Sequence, residues 1–368
     1  MNHIYKVIWS KVKNSYVVVS ETAKRNGKSS RTGAGKKLAA ALTALVLCTG
    51  ITTGAMAADT AIGTGKGVAY GTSSEATNEK GVAVGKNAKA TSGGAIAVGN
   101  DASTTGASSI AIGDRAKIFG KNPYMALVIG ENAQSAYGSI VIGMNAKDYD
   151  TDPAEAGSGI YIGANAKSLG GPLQVVLGNG GQVKGQGATA IGTWTKALDF
   201  QASAVGQSAQ ALGDGSSAFG ADSIAEFNKS TALGANTNAR GYRSLAVGKT
   251  TVAAGSNSVA IGYQSYAHNG YIDKATYDAL SAEEQAKYFR ASGVSYYFLK
   301  DTAAESQIWD SYLNTAVGSY SRAFKEATAL GAVAMAQEGG TAVGNEANAN
   351  AKGAASFGYQ SRANVENG

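Results

Sequence analysis

Cysteine, histidine and proline are nearly absent from this chain of 368 residues, which holds one Cys, two His and three Pro. The lone Cys48 rules out an intrachain disulfide and the paired thiolates of a zinc site. His3 stands near the amino terminus, so His268 is the only imidazole in the remainder. Nucleophile systems of the Cys/His or Ser/His/Asp kind lack their parts, and the sequence predicts no catalytic centre, no metal and no cofactor. Bulky core formers are scarce as well: three Trp and eight Phe stand against 50 Gly, the last roughly twice ordinary usage. A core of large interlocking side chains is therefore not expected.

The net charge of +6 divides unevenly. Residues 1 to 57 carry nine of the 32 basic residues and one of the 26 acidic ones, which leaves 23 basic and 25 acidic residues beyond them. The excess of positive charge belongs to the amino-terminal segment. With no basic stripe visible along the rest of the chain, nucleic acid is not an expected partner.

That segment reads as an export signal. Lys36 and Lys37 precede an apolar run from Leu38 to Leu47, and Ala55-Met56-Ala57 places small residues where signal peptidase cleaves. Cleavage between Ala57 and Ala58 is expected. The run is well short of the roughly 20 residues needed to span a bilayer, so a retained anchor is the weaker reading. Leu47 is too large to precede a lipidated cysteine, which leaves Cys48 a bystander. Ahead of the signal lies a long extension, Met1-Asn2-His3-Ile4-Tyr5-Lys6-Val7-Ile8-Trp9-Ser10 continuing through Tyr16-Val17-Val18-Val19-Ser20-Glu21. It resembles the extended signal peptide region of large autotransporters. The resemblance implies export through the Sec machinery of a Gram-negative bacterium, with residues 1–30 as the extension and 31–57 as the signal peptide proper.

A short motif then recurs: Val82-Ala83-Val84-Gly85, Ile96-Ala97-Val98-Gly99, Ile110-Ala111-Ile112-Gly113, Leu245-Ala246-Val247-Gly248. Eighteen such closing glycines run from Gly71 to Gly358, most of them 14 residues apart; Gly143, Gly206, Gly220, Gly234 and Gly262 belong to the series. Alternation of period two marks a strand with the aliphatic residues on one side and Ala on the other. Glycine ends it where a positive φ or a close backbone approach excludes a Cβ. A second short segment follows a corner asparagine, as in Asn87-Ala88-Lys89-Ala90 and Asn165-Ala166-Lys167. Fourteen residues suit two short strands and two turns. Ordering that many backbones costs far more than two buried aliphatic side chains return, so the units must stack. At about 4.8 Å per coil the array would be roughly 85 Å long. Its outer face stays partly apolar, and association of several chains is the natural remedy.

The Ser/Thr/Asn-flanked Val/Ile-Ala-Ile/Val-Gly motif is similar to the head repeats of YadA-like trimeric autotransporter adhesins, over nearly all of residues 60–368. The resemblance implies an all-β fold, a left-handed parallel β-roll interlocked as a homotrimer. It assigns head repeats to residues 58–262 and 315–368. One unit, Asn257-Ser258-Val259-Ala260-Ile261-Gly262-Tyr263-Gln264-Ser265, matches a pattern associated with collagen binding in that family, which makes Asn257 to Gly262 and Ser265 candidate contact residues. The competing reading makes Val259, Ile261 and Gly262 ordinary roll residues.

Departures from the repeat stand out. The intervals 113 to 130, 143 to 163 and 163 to 178 are stretched and contain Pro123, Pro153 and Pro172. Proline cannot donate to a ladder, so loops leaving the roll are expected there. Asp148, Asp150, Asp152 and Glu155 cluster in the second interval, read as a solvated loop ahead of a Ca²⁺ site. The longest departure, Tyr263 to Asn314, reads as a helical insertion, with capping boxes at Ser281/Glu284 and Thr302/Glu305. Eight of the 18 tyrosines and Trp309 lie in it. Tyr296, Tyr297 and Trp309 are candidate contact residues there, with packing of a small excrescence as the blander reading.

The expected function is multivalent attachment to extracellular matrix, host cells or other bacteria from the cell surface or outer membrane. A passive surface-structural role and a polysaccharide-active β-helix enzyme are the alternatives; the wandering Asp and Glu positions disfavour the second. The array ends at Gly368 within another unit, with no heptad stalk or membrane barrel strands. The expectation is a fragment, or a product that stays periplasmic or is secreted.

Overall fold

The computed structural model describes residues 63–120, 123–149, 158–291, 293–300 and 313–367, and the backbone of two strands near the amino terminus. Two compact units, Met1–Thr60 and Ala61–Gly368, divide the chain. In the first, Tyr5–Ser10 and Ser15–Ser20 form an antiparallel hairpin with Trp9 opposite Tyr16. Cys48 and the cleavage pair Ala57 and Ala58 lie outside the described residues.

The second unit is a parallel β-solenoid. Each coil holds a strand of about three residues and a second of two, such as Val82–Val84 followed by Lys89–Ala90. The next coil repeats them in register: Val82 pairs with Ile96, Ala83 with Ala97 and Lys89 with Ser103. The longer strands stack as a run of 18 from Val68–Tyr70 to Ala355–Phe357. The shorter ones stack beside them from Thr64–Gly65 to Arg362–Ala363, bridged at Lys147 between Gln134 and Lys167. No coil closes its own ladder, so each takes its backbone partners from the coils above and below.

The side facing inward is the alanine side. Ala83, Ala97, Ala111, Ala190, Ala204, Ala218, Ala232, Ala246 and Ala260 are fully buried, as are Ala90, Ala197, Ala211, Ala225, Ala239 and Ala253 on the opposite sheet. The Val and Ile side chains beside them point outward and are half-exposed. The coil interior therefore does not hold the two aliphatic side chains expected of it: the two sheets lie so close that methyl groups fill the space between them.

At the strand ends the nine glycines 85, 99, 113, 143, 206, 220, 234, 248 and 262 have φ between 128° and 139°. A Cβ on any of them would lie 2.1–2.6 Å from the carbonyl oxygen of the glycine one coil on. Two residues later the chain turns through the left-handed region, at Asn87, Asn132, Asn145 and Asn165 with φ of 54–58°. Asparagine tolerates this conformation, and its side chain supplies a second bond between coils. Asn87 Nδ2 donates to Asp101 Oδ1 at 2.9 Å, and Asn132 Nδ2 to Asn145 Oδ1 at 2.8 Å.

Between residues 104 and 183 the interior widens. Val128, Val141, Tyr161 and Val176 replace alanine on the longer sheet, and Ile118, Ser135, Ser168 and Val183 on the shorter. Glycine compensates: a Cβ on Gly181 would meet Val176 Cγ1 at 2.6 Å, and one on Gly159 the Tyr161 hydroxyl at 2.6 Å. Tyr161 donates to Gln174 Oε1 at 3.0 Å, and Gln174 Nε2 donates to the carbonyls of Gly170 and Gly185 at 2.8 Å each. Two expectations for this region are corrected. Pro123 and Pro172 stay in the coils, because a corner needs only a carbonyl from them: Ser109 Oγ donates to Pro123 O at 2.7 Å and Gly187 N to Pro172 O at 3.0 Å. Asp148 does not belong to a solvated loop but points into the interior, fully buried, and accepts from Ser135 Oγ, Ala136 N and Tyr137 N. Pro153, Asp150, Asp152 and Glu155 lie outside the described residues.

The long departure from the repeat is also different from its expected form. The roll continues through Tyr266–His268, which pair with Arg322–Phe324, and resumes at Asn314. Between them, Tyr271–Ile272, Tyr297–Leu299 and Tyr288–Arg290 form an antiparallel sheet with the middle segment at its centre. Among the described residues of the insertion, helix is confined to Lys274–Asp278 and Ala282–Gln285. The Ser281/Glu284 capping box forms as expected, but the helix it starts ends after four residues. Tyr288 and Phe289 leave it because their aromatic side chains pack in a strand, with Phe289 buried against Val252, Tyr266, Val294 and Phe298. Thr302, Glu305 and Trp309 lie outside the described residues.

Two measurements check this account. Gly206→Ala, whose Cβ would sit 2.6 Å from Gly220 O, should lower the unfolding midpoint well beyond Gly187→Ala, whose nearest neighbour is Gln201 Cγ at 3.6 Å; the left-handed backbone alone costs both about 1–2 kcal/mol. Desolvation holds the Asp148 carboxyl above its ordinary value of 3.8, partly offset by its hydrogen bonds. The fold thus keeps that proton more tightly than the unfolded chain, and this contribution to stability is complete at low pH and lost as pH rises through the raised value. Thermal melts from about pH 4 to about pH 7 should show Asp148→Asn gaining on the parent as pH rises.

Candidate binding surface

Stacking in register turns each outward position of the coil into a column along the solenoid. On the longer sheet the residue before every closing glycine is apolar and none is buried, from Tyr70, Val84 and Val98 to Leu330, Val343 and Phe357. Ile112, Leu233 and Phe357 are 38%, 48% and 66% exposed. The column two residues earlier is apolar from Val68 to Val175 and then turns to Thr189, Ser203, Ser217 and Thr231.

The shorter sheet presents a polar face. Its outward column runs Lys89, Ser103, Lys117, Gln134, Lys147, Lys167, Gln182, Lys196, Gln210. Five of the nine positions are lysines, a column that the linear sequence does not show. Its members are 20 to 30 residues apart in sequence and meet only because the coils stack. Placing each repeat on its closing glycine would have shown it: a lysine stands four residues after Gly85, Gly113, Gly143, Gly163 and Gly192.

The candidate unit 257–265 divides between interior and surface. Ser258, Ala260 and Ser265 are fully buried and have no surface to offer a partner. Ser258 Oγ accepts from Asn314 Nδ2 at 3.3 Å, and Ser265 Oγ donates to Ala316 O at 2.9 Å. Gly262 faces the carbonyl of Gly318. Asn257, Val259 and Ile261 are half-exposed, the last two in the apolar columns. The expectation of a continuous contact unit is corrected accordingly: alternation sends every second side chain into the roll.

Tyr296 and Tyr297 are half-buried. Tyr297 stacks on Tyr277 with centroids 3.8 Å apart, and Tyr296 meets Tyr271 edge-on at 4.8 Å. The Arg322 guanidinium lies 5.7–6.0 Å from the rings of Tyr266, Tyr271 and Tyr296. A cavity of about 250 Å³ opens there between insertion and roll, lined by His268, Tyr271, Arg322, Phe324, Met335 and Gln337. His268 is buried among the rings of Tyr271, Phe298 and Phe324, and its Nδ1 has no hydrogen-bond partner. Burial, reinforced by the Arg322 charge, pushes its pKa down to about 3.

Residues 1–48 match the model of the extended signal peptide of the type V secretion system. The model of the YadA head domain repeat, in two copies, matches residues 90–116, 200–223, 211–237, 228–250 and 239–265. Together the two matches support a trimeric autotransporter adhesin. No curated protein matches it. The head-repeat matches fall on coils whose inward strand residues are alanine apart from Thr104, and the coils between residues 117 and 199 lie outside them.

The buried imidazole gives the solenoid a second pH dependence, opposite in sign to that of Asp148. Because the folded pKa of His268 lies below the ordinary 6.5, the unfolded chain takes up the proton first, and stability is lost as pH falls from 6.5 toward about 3. His268→Phe should flatten the acid limb of the thermal midpoint, whatever it does to the midpoint at neutral pH.

Proposed function

We propose that the solenoid is the adhesive head of a homotrimer, attaching the cell to extracellular matrix, host cells or other bacteria by many shallow contacts rather than by catalysis. The observation that carries the reading is the apolar column on the longer sheet. Apolar residues occupy it in all 18 coils, and each is partly exposed in the single chain. A stripe of that length needs a cover, and a second and third copy of the same chain supply one with matching register. The matches to the YadA head repeat support three copies and left-handed winding. The extended signal peptide supports export by the Sec pathway and display at a Gram-negative surface, and Ala55-Met56-Ala57 supports removal of the leader after Ala57. Tripled rods repeat every weak contact, so useful avidity needs no deep pocket. Receptor contacts would then fall on the polar face of the shorter sheet and on the insertion, with Tyr296, Tyr297 and Trp309 as its aromatic candidates.

Sedimentation of the exported protein should give a trimer, and Leu233→Lys with Leu330→Lys should shift it toward monomer and reduce attachment to immobilised matrix proteins and cultured cells. A stable, attachment-competent monomer would remove the trimer from the account. A trimer that attaches to none of those surfaces would remove the adhesive role.

A further inference from the structure

The outer face of the longer sheet changes along the solenoid. Each longer strand turns two side chains outward, one just before the closing glycine and one two residues earlier. In the first eight coils, from Val68 and Tyr70 to Val175 and Leu177, both are apolar; Ile96 with Val98 and Ile110 with Ile112 are typical. In the next four the earlier position carries a hydroxyl, in the pairs Thr189/Ile191, Ser203/Val205, Ser217/Phe219 and Thr231/Leu233. Leu245 and Val259 make it apolar again for two coils, and threonine returns at Thr315, Thr328 and Thr341.

The coil itself does not select this pattern. The residue between the two outward positions is a buried alanine at Ala97 and Ala111, as it is at Ala204, Ala218 and Ala232, so the interior is the same. Valine and threonine suit a strand alike. Ile110 and Ser217 are both half-exposed in the single chain. What differs is their response to a surface laid on them from outside: an aliphatic side chain gains from being covered, whereas a hydroxyl pressed against apolar atoms loses its water. The two outward columns lie about 7 Å apart, in the same strands and on the same face. The one before the closing glycine is apolar throughout, and a cover on that column reaches the other.

We infer that the copies of the chain are held together unevenly. Over the first eight coils the dry contact is two columns wide and about 34 Å long. Between residues 189 and 233 it narrows to one column, and the hydroxyls beside it keep their water. The occupant of the wide stripe is a second copy of the chain, which in register brings apolar levels to apolar levels and hydroxyl levels to hydroxyl levels over the same length. The inference rests on the homotrimer reading and adds to it where along the solenoid the copies grip and where they part first.

Beyond the leader the chain has no cysteine, so a single introduced thiol reports on cover. In the full chain, after export, Ile110→Cys and Ser217→Cys place it at the same position of two coils whose inner residues match, and Ile96→Cys and Ser203→Cys repeat the comparison. In the assembled protein N-ethylmaleimide should label the first of each pair at least about tenfold more slowly than the second, and the two equally in denaturant. Sedimentation of the same samples reports the assembly. Ile96→Thr/Ile110→Thr/Ile140→Thr should lower the urea concentration at which the trimer dissociates, and Ser203→Val/Ser217→Val/Thr231→Val should raise it. Both sets put strand-favouring residues on outward positions, so the coils themselves hold. A trimer whose paired thiols react alike, or whose two triple variants dissociate with the parent, overturns the uneven grip and leaves the homotrimer standing. A monomer with freely reacting thiols overturns both. A monomer in which Ile110→Cys is still slow overturns both as well, and assigns the cover to another part of the chain.

Discussion

Everything in the solenoid depends on one sideways interaction, the parallel backbone pairing of each coil with the next. A coil of two short strands cannot satisfy its own amides and carbonyls, so it exists only as a rung between others. The closest point of that approach is the glycine column, where a methyl group would overlap the next carbonyl at nearly every level. The abundance of glycine and the scarcity of proline follow from this contact. So does the alanine interior, because two sheets drawn this close leave room for little more than methyl groups.

A uniform interior moves individuality to the outside. In register, one outward position of the repeat becomes a line of side chains, and a column can be apolar, amidic or cationic independently of its neighbours. The apolar line on the longer sheet suits other copies of the chain, and the polar face of the shorter sheet remains for other molecules. Where the interior departs from alanine, at Val128, Val141, Tyr161 and Val176, the coils also fall outside the head-repeat matches. The insertion is the second such place. There the chain leaves the roll to build a small aromatic core on Val252 and Tyr266, and the enclosed His268 is the result.

Charge in this architecture cannot be judged from net values. Beyond the leader the chain is close to neutral, yet its outer columns differ sharply because every coil contributes to the same few lines. Asp148 and His268 illustrate the converse: two ionisable groups placed where water does not reach, one held toward its protonated form and one toward its neutral form by burial. Their opposing pH responses come from burial, to which the charge of Arg322 on the shorter sheet adds in the case of His268.

The sequence alone determined the parts that depend on local chemistry. Alternation specified strands, glycine specified their ends, corner asparagines specified the left-handed turns, the Ser281/Glu284 pair specified a helix start, and the leader announced itself by its charge and apolar run. Tertiary structure decided what parity leaves open. Alternation says that Ala83 and Val84 face opposite ways, but only the separation of the two sheets makes alanine the inner one. Likewise, the return of the chain through Tyr266–His268, the burial of Ser258, Ser265 and Asp148, and the strand conformation of Tyr288–Arg290 depend on what packs against them from the next coil or the insertion. The lysine column is the clearest case: its members are scattered through a hundred residues of sequence and become neighbours because hydrogen bonding fixes each coil directly above the last.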